Sequence, residues 1–203
     1  MMSVDMPSLL VLALHVRDGA GLEPAMDPPV PRLEPAVGAG AGAPPAAAEQ
    51  WSAWWRALLG AEVALRRAVS DGPGGMATHA ALAAHHVPYT PPDFSGLDGS
   101  PELRELVAGG WGDAHRWTEA RSRELHAVNT AQDRRLLECD VVRDAERRAG
   151  RRARPFRLYV SVLPVAGASV WRVAEDHVLA GWGLYASSPD WRRWLDPVVE
   201  ELV

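Results

Sequence analysis

Histidine and acidic side chains recur at helical spacing in the second half of the chain. The set, whose members are separated by 4, 7, 3, 4, 7 and 4 residues, comprises His115, Glu119, His126, Asn129, Asp133, Asp140 and Asp144. On one continuous helix these positions fall within an arc of about 80°. Imidazole, amide and carboxylate groups bind divalent metals. A solvent-exposed face with local ion pairs is the alternative, and we favour it because no second element carries matching ligands.

A second group of histidines lies nearer the middle of the chain, at His79, His85 and His86. His79 and His86 share a helical face, which suits metal binding or acid–base chemistry. Alternatively, His85 and His86 end a helix, where their charge interacts favourably with the helix dipole. No four-ligand spacing is present, so we expect no metal and no cofactor. The candidate ligands, should a metal bind, are His79, His86, His126 and Asp133.

Seven arginines fall within fifteen residues, at Arg143, Arg147, Arg148, Arg151, Arg152, Arg154 and Arg157. Only Asp144 and Glu146 oppose them inside this run. Guanidinium groups bind phosphates well, so the run could bind a phosphate compound or, weakly, nucleic acid. Aromatic residues do not interleave with the arginines before Phe156, and no nucleic-acid-binding motif surrounds them. A basic helix end is the interpretation that we favour.

Tryptophan is abundant, with nine in 203 residues. Trp51, Trp54 and Trp55 are the densest group. Tryptophan is enriched in binding hot spots, although packing in the core is its more general role. Adjacent helical positions are about 100° apart, so Trp54 and Trp55 can both be buried only if the apolar stripe is broad. We favour core packing, while contact with a partner would need one of the two to be partly exposed.

Composition sets broad limits on the class of protein. The hydrophobic share of 47% and the net charge of −5 are ordinary for a globular protein. All 21 basic residues are arginines, a pattern typical of a GC-rich bacterium.

Cys139 is the only cysteine, which excludes an internal disulfide, and its apolar neighbours predict a packed, inert thiol. Neither a signal peptide nor a membrane-spanning segment is evident, so we expect a cytoplasmic protein.

The elements that position these residues follow from apolar spacing and turn residues. The apolar run Leu9–Val16 predicts a buried strand. The next segment, 22–46, is rich in proline, glycine and alanine, and we expect it to be mobile. A helical insertion, residues 47–150, begins with an amphipathic helix at about 47–69 and includes one long helix from about 113 to 149.

The last fifty residues form the clearest unit, a β-β-β-α arrangement over 155–203. Phe156 to Val162 alternates as a strand does, two more extended segments follow, and Ser188-Pro189 begins a helix. We therefore predict one α+β domain over 1–203. Its small, mostly antiparallel sheet joins the N-terminal strand to a C-terminal three-strand meander, with the helical insertion between them and a C-terminal helix after them.

No motif identifies a catalytic residue, and P-loop, GxGxxG and GxSxG sequences are absent. We favour a non-catalytic, partner-binding or accessory protein, with an unidentified protein as its partner. The residues expected to bind that partner are Trp54, Trp55, Arg147, Arg148, Arg151 and Arg152. A metal-dependent, hydrolase-like enzyme that uses the His and Asp residues of the long helix is one alternative. A phosphate or nucleic-acid binder that uses Arg143–Arg157 is the other.

Overall fold

The computed structural model describes residues 2–26, 29–38, 40, 42–71, 84, 87–132, 134 and 136–201. Within them lie four strands: β1 (Met2–Asp5), β2 (Leu158–Leu163), β3 (Val170–Ala174) and β4 (His177–Gly181). The helices are α1 (Ser8–Gly19), α2 (Pro45–Asp71), α3 (Pro101–Thr130), α4 (Leu137–Ala149), α5 (Trp182–Ala186) and α6 (Ser188–Glu200). Short 3₁₀ turns occupy Val87–Tyr89 and Ser95–Leu97. The α+β class is therefore confirmed.

The sheet is mixed, with strand order β1-β2-β4-β3. β2 pairs in parallel with both β1 and β4, and only β3 and β4 are antiparallel. The prediction of a mostly antiparallel sheet with a three-strand meander is therefore wrong in detail. Every residue of β2 and β4 is buried, as is typical of central strands with parallel neighbours. β4 lies between β2 and β3 in the sheet. After β2 the chain therefore passes over the neighbouring position to form β3, and then returns to fill that position with β4.

The N-terminal strand does pair with the C-terminal sheet, but it is formed by different residues. Met2–Asp5 aligns with β2, with Val4 opposite Val160. The predicted strand Leu9–Val16 is instead the body of α1, where residues Leu9 to Leu14 are at most 3% exposed. A continuous apolar run has no period that distinguishes a buried strand from a buried helix. Pro7, extended at the helix start, separates the two elements.

The predicted helix over 113–149 is two helices. α3 ends at Thr130, whose hydroxyl donates to the carbonyl oxygens of His126 and Ala127. Such side-chain bonds to the preceding turn compete with regular helix geometry. The next backbone bonds, from Arg134 to Ala131 and from Leu137 to Arg134, are of the tighter i to i+3 type. α4 starts only at Leu137, so the predicted stripe of histidine, amide and carboxylate residues is divided between two helices.

Two predicted helices are present close to their expected bounds. The tryptophan-bearing helix is α2, and the C-terminal helix is α6. At the start of α6 the Ser187 hydroxyl accepts a hydrogen bond from the Asp190 backbone N–H, and a proline occupies the first turn.

The chain divides into two compact units. The sheet unit, Met1–Met6 with Ala120–Val203, contains the sheet, the end of α3 and the helices α4 to α6. The helical unit, Pro7–Glu119, contains α1, α2 and the first part of α3. The single domain over 1–203 and the insertion over 47–150 stay predictions.

Within the helical unit, α1 binds part of the proline-rich segment through charged side chains. Arg17 donates to the carbonyl oxygens of Val30 and Pro31, at 2.8 and 2.7 Å. Asp18 accepts from the Leu33 backbone N–H at 2.7 Å and from Arg32 at 2.9 Å. These bonds anchor the stretch around residue 30, while the mobility of 22–46 as a whole stays a prediction.

Candidate functional site

The sheet unit contains a cavity of about 600 Å³, hereafter the Arg134 cavity. Residues of β1, α4 and α5 form its apolar wall. Its polar groups lie at the end of α3, in the α3–α4 connection, on α4 and in the segment after α4. The lining residues are Met2, Val4, Asn129, Arg134, Glu138, Cys139, Val142, Arg143, Glu146, Arg152 and Tyr185.

One face of α4 supplies four of these residues. Cys139, Val142, Arg143 and Glu146 follow one another at steps of three, one and three residues, which places them on the same side of a helix. The buried positions of α4 are Leu137, Val141 and Ala145. Because apolar residues occupy one side of the helix, the cysteine, the arginine and the glutamate are directed to the cavity side.

Arg134 is the most unusual residue of the cavity, because it is a cation with only 2% of its surface exposed. Its guanidinium carbon lies 4.1 Å from the centroid of the Tyr185 ring and 5.5 Å from that of the Trp191 ring. Glu138 provides an ionic partner at 3.5 Å. None of its Nε, Nη1 and Nη2 atoms makes a hydrogen bond of good geometry to an acceptor among the described residues. A buried charged donor left without an acceptor is costly.

Hydrogen bonds hold the two aromatic rings beside Arg134. The Tyr185 hydroxyl donates to Asn129 Oδ1 at 2.6 Å, and the Trp191 indole N–H donates to Glu138 Oε1 at 3.0 Å. Burial raises the pKa of the Tyr185 phenol above its ordinary value, although the neighbouring Arg134 opposes the change. Tyr185 is therefore a neutral hydrogen-bond donor at physiological pH.

Two arginines at the mouth of the cavity are accessible. Arg143 is 63% exposed and pairs with Asp140 at 2.8 Å, and Arg152 is 92% exposed and pairs with Glu146 at 3.3 Å. Ion pairs this exposed are weak, so an incoming anion can exchange for either carboxylate. With Arg134, three cations and two carboxylates line the cavity.

Three of the four arginines predicted to bind a partner line a second opening of about 440 Å³, whose lining residues are Arg143, Glu146, Arg147, Gly150, Arg151 and Arg152. Carboxylates pair with most of them. Arg147 contacts Asp144, and Arg148 lies 3.6 Å from Asp196 and 2.8 Å from Glu200.

These ion pairs make the surface around the arginine run less positive than the sequence of the run suggests. Inside the run only Asp144 and Glu146 are acidic, but α6 packs against α4 and brings two more carboxylates to it, Asp196 and Glu200. The use of Arg147, Arg148, Arg151 and Arg152 by a partner stays a prediction.

Neither Trp54 nor Trp55 is exposed as contact with a partner would require, since their exposed fractions are 4% and 3%. Trp55 stacks on Trp51 with ring centroids 5.4 Å apart, and Trp54 lies beside Tyr89 at 6.0 Å. Other parts of the helical unit cover both sides of α2, so a wide stripe of the helix is buried.

Of the four predicted metal ligands, the structure describes His126. His126 is exposed on α3, while His79, His86 and Asp133 lie outside the described residues. Among the residues with described positions, no group of three or more His, Cys, Asp or Glu side chains has the arrangement that a metal ion needs. Asn129, another member of the predicted stripe, accepts a hydrogen bond from Tyr185.

A serine–histidine pair in the sheet was not predicted. Ser161 Oγ lies 2.9 Å from His177 Nε2, across the neighbouring strands β2 and β4. Each residue is only 1% exposed, so no substrate can reach the hydroxyl. The pair joins two strands and does not form a nucleophile–base site.

Cys139 also differs from the expectation of a packed thiol, because it is exposed. Its apolar sequence neighbours Leu137 and Val141 are buried on the opposite side of α4. Adjacent residues of a helix point in different directions, and so the neighbours in sequence do not cover the thiol.

Across the described helices, none is both long enough and apolar enough to cross a membrane. No protein-family model matches this chain, and neither a curated protein nor a solved structure is found to be similar to it.

Proposed function

We propose that this protein is a ligand-binding protein whose Arg134 cavity holds a small organic anion, with a carboxylate or phosphate head group and an apolar body. The observation that carries the proposal is the buried guanidinium of Arg134, which lines the cavity and makes no hydrogen bond to a described acceptor, with Glu138 as its ionic partner at 3.5 Å. An anion near this cation would offset the cost of burying it.

The shape and composition of the cavity support an organic ligand. Its volume of about 600 Å³ is within the range of ordinary small-molecule sites, roughly 300–1,000 Å³. Met2, Val4 and Val142 provide an apolar wall on which a hydrocarbon or aromatic body can pack. A few polar groups beside an apolar wall are the usual composition of such sites.

The charges support an anionic head group over a neutral one. Arg143 and Arg152 offer accessible N–H donors at the mouth, and Arg134 adds a fixed positive charge in the wall. Guanidinium groups bind carboxylates and phosphates in a bidentate geometry, through two parallel N–H···O hydrogen bonds. Partner binding and metal-dependent hydrolysis stay predictions, because the buried Trp54 and Trp55 and the paired arginines offer them no further support.

The test compares phenylacetate and phenylphosphate with phenylacetamide, a neutral molecule of similar shape. Isothermal titration of the full chain at low salt should show binding of at least one anion and not of the amide. The shift of the melting temperature should agree with the affinity. The phosphate and carboxylate probes distinguish the two head groups.

Matched variants locate the site. Arg143→Gln and Arg152→Gln should each weaken binding of the anion by about fivefold to tenfold, because each removes a charge-assisted hydrogen bond. Arg193→Gln is the control, since Arg193 is 78% exposed on α6 and does not line the cavity. Equal binding of phenylacetate, phenylphosphate and phenylacetamide, or equal losses in all three variants, would contradict the proposal.

A further inference from the structure

The thiol of Cys139 shares the Arg134 cavity with its arginines. Cys139 is exposed, and it lies on the same face of α4 as Arg143, one helical turn before it. Residues four apart on a helix have Cβ atoms about 5–6 Å from each other. A ligand anion held by Arg143 is therefore held beside the sulfur.

We propose that Cys139 is a modification site that forms a mixed disulfide with an anionic, low-molecular-weight thiol compound. This inference rests on the proposed function, because the head group of that compound occupies the anion site. The guanidinium of Arg134 is the observation that points to a ligand here independently of the cysteine, because it is buried in the cavity wall and makes no hydrogen bond to a described acceptor, although Glu138 lies 3.5 Å away.

The reaction is thiol–disulfide exchange with a symmetrical disulfide, RSSR, which supplies the oxidising equivalents. The Cys139 thiolate attacks one sulfur, the bond between Cys139 and SR forms, and the bond between the two original sulfurs breaks. RS⁻ leaves and takes up a proton equivalent to the one that the cysteine thiol released. One disulfide is consumed and one is formed, so no net oxidation occurs.

The arginines determine which disulfide reacts. Their role is to raise the concentration of anionic reagents beside the sulfur, an effect of electrostatic attraction that ranges from about 10-fold to 1,000-fold in rate. A neutral disulfide gains nothing from them and a cationic one is repelled. The site therefore selects its reagent by charge.

The experiment compares three disulfides of similar size: 3,3′-dithiodipropionate, bis(2-hydroxyethyl) disulfide and cystamine, which are anionic, neutral and cationic. Intact-mass spectrometry of the full chain at about pH 8, where thiols are partly ionised, gives the rate at which the adduct forms. The same reactions in urea give the intrinsic reactivity of the unfolded chain. Cys139→Ser should form no adduct.

We expect the ratio of the anionic to the neutral rate to be at least about tenfold higher in the folded protein than in urea. The double variant Arg143→Gln/Arg152→Gln should lower this ratio to the unfolded value, while Arg193→Gln should leave it unchanged. An equal ratio in folded and unfolded chains, or an equal loss in Arg193→Gln, would overturn the inference.

The probe of the proposed function separates the two failures. If phenylacetate or phenylphosphate binds and the ratio of the anionic to the neutral rate is the same in the folded protein and in urea, the modification site is wrong and the anion site stands. If neither anion binds and the ratio still depends on Arg143 and Arg152, the proposed function is wrong, and the arginines attract anionic reagents without holding a head group, which overturns this inference as well. If both measurements are negative, both proposals fall.

Discussion

The guanidinium carbon of Arg134 lies over the ring of Tyr185, 4.1 Å from its centroid. The cation and the ring are both withdrawn from water, and a cation–π contact is strongest under that condition. Because Tyr185 is also fixed by Asn129, the pair forms a rigid wall of the Arg134 cavity. Binding at this cavity should therefore be sensitive to changes that loosen the wall.

A double-mutant cycle measures this contact. Arg134→Met and Tyr185→Leu should show a coupling of about 0.5–2 kcal/mol in the free energy of unfolding, determined by urea denaturation. Tyr185→Phe keeps the ring, so it should show little coupling with Arg134→Met. A coupling below about 0.3 kcal/mol for the Leu variant, within the usual error of additivity, would mean that the ring does not stabilise the cation.

Asp18 should make the stability of the helical unit sensitive to acid. Burial alone would raise the pKa of this carboxyl, but hydrogen bonds from Arg17, the Leu33 backbone and Arg32 outweigh it and lower the pKa below its ordinary value of 3.8. The folded state binds a proton less readily, so this contribution is present above pH 3.8 and is lost as the pH falls through the folded pKa.

Asp18→Asn should therefore destabilise the protein by about 2 kcal/mol at neutral pH, and the difference from wild type should shrink on acidification. Glu23→Gln is the control, because Glu23 also contacts Arg32 but its side chain is 84% exposed. Chemical denaturation at several pH values checks the result. A difference that is independent of pH would argue against the charged network.

Glu62 should have the opposite dependence on pH. It is 4% exposed, and burial raises its pKa from 4.5 to about 7, even though Arg66 donates to it at 2.6 Å. The folded state keeps a proton that the unfolded state releases. The stability from the neutral carboxyl is fully present below pH 4.5 and is lost as the pH rises through about 7.

The wild type should lose stability relative to Glu62→Gln between these pH values, by an amount on the order of 3 kcal/mol at most. Denaturant unfolding of both proteins across this range provides the measurement. Glu49→Gln, an exposed change on the same helix, serves as the control. A parallel pH profile for wild type and Glu62→Gln would show that Arg66 keeps the carboxylate charged.

Trp51 and Trp54 allow a matched comparison of one hydrogen bond. Both are buried on α2, but only Trp51 donates its indole N–H to a described acceptor, the Ala13 carbonyl oxygen at 2.7 Å. Replacement by Phe removes similar volume at each position. Trp51→Phe should cost about 1–2 kcal/mol more than Trp54→Phe, as measured by urea denaturation. Equal losses would assign the whole effect to packing.

The elements that could be predicted are those whose residues repeat a local pattern. The three- and four-residue spacing of Trp51, Trp54, Trp55 and Leu58 predicted α2, and the serine, proline and aspartate near residue 188 predicted α6. Both signals depend on neighbours within one or two turns. Leu9–Val16 lacks any such period, and for that reason a strand was predicted where the structure has a helix.

The sequence by itself determined the α+β class, the two amphipathic helices and the position of the basic residues in the chain. Only the tertiary structure decided that Arg134 is buried beside Tyr185 and Trp191, that Asp196 and Glu200 pair with Arg148, and that Cys139 faces a cavity. Burial and ion pairing depend on elements that are distant in the chain and meet only on folding. A local pattern specifies which helix forms, while packing between elements determines which of its side chains remain available to a ligand.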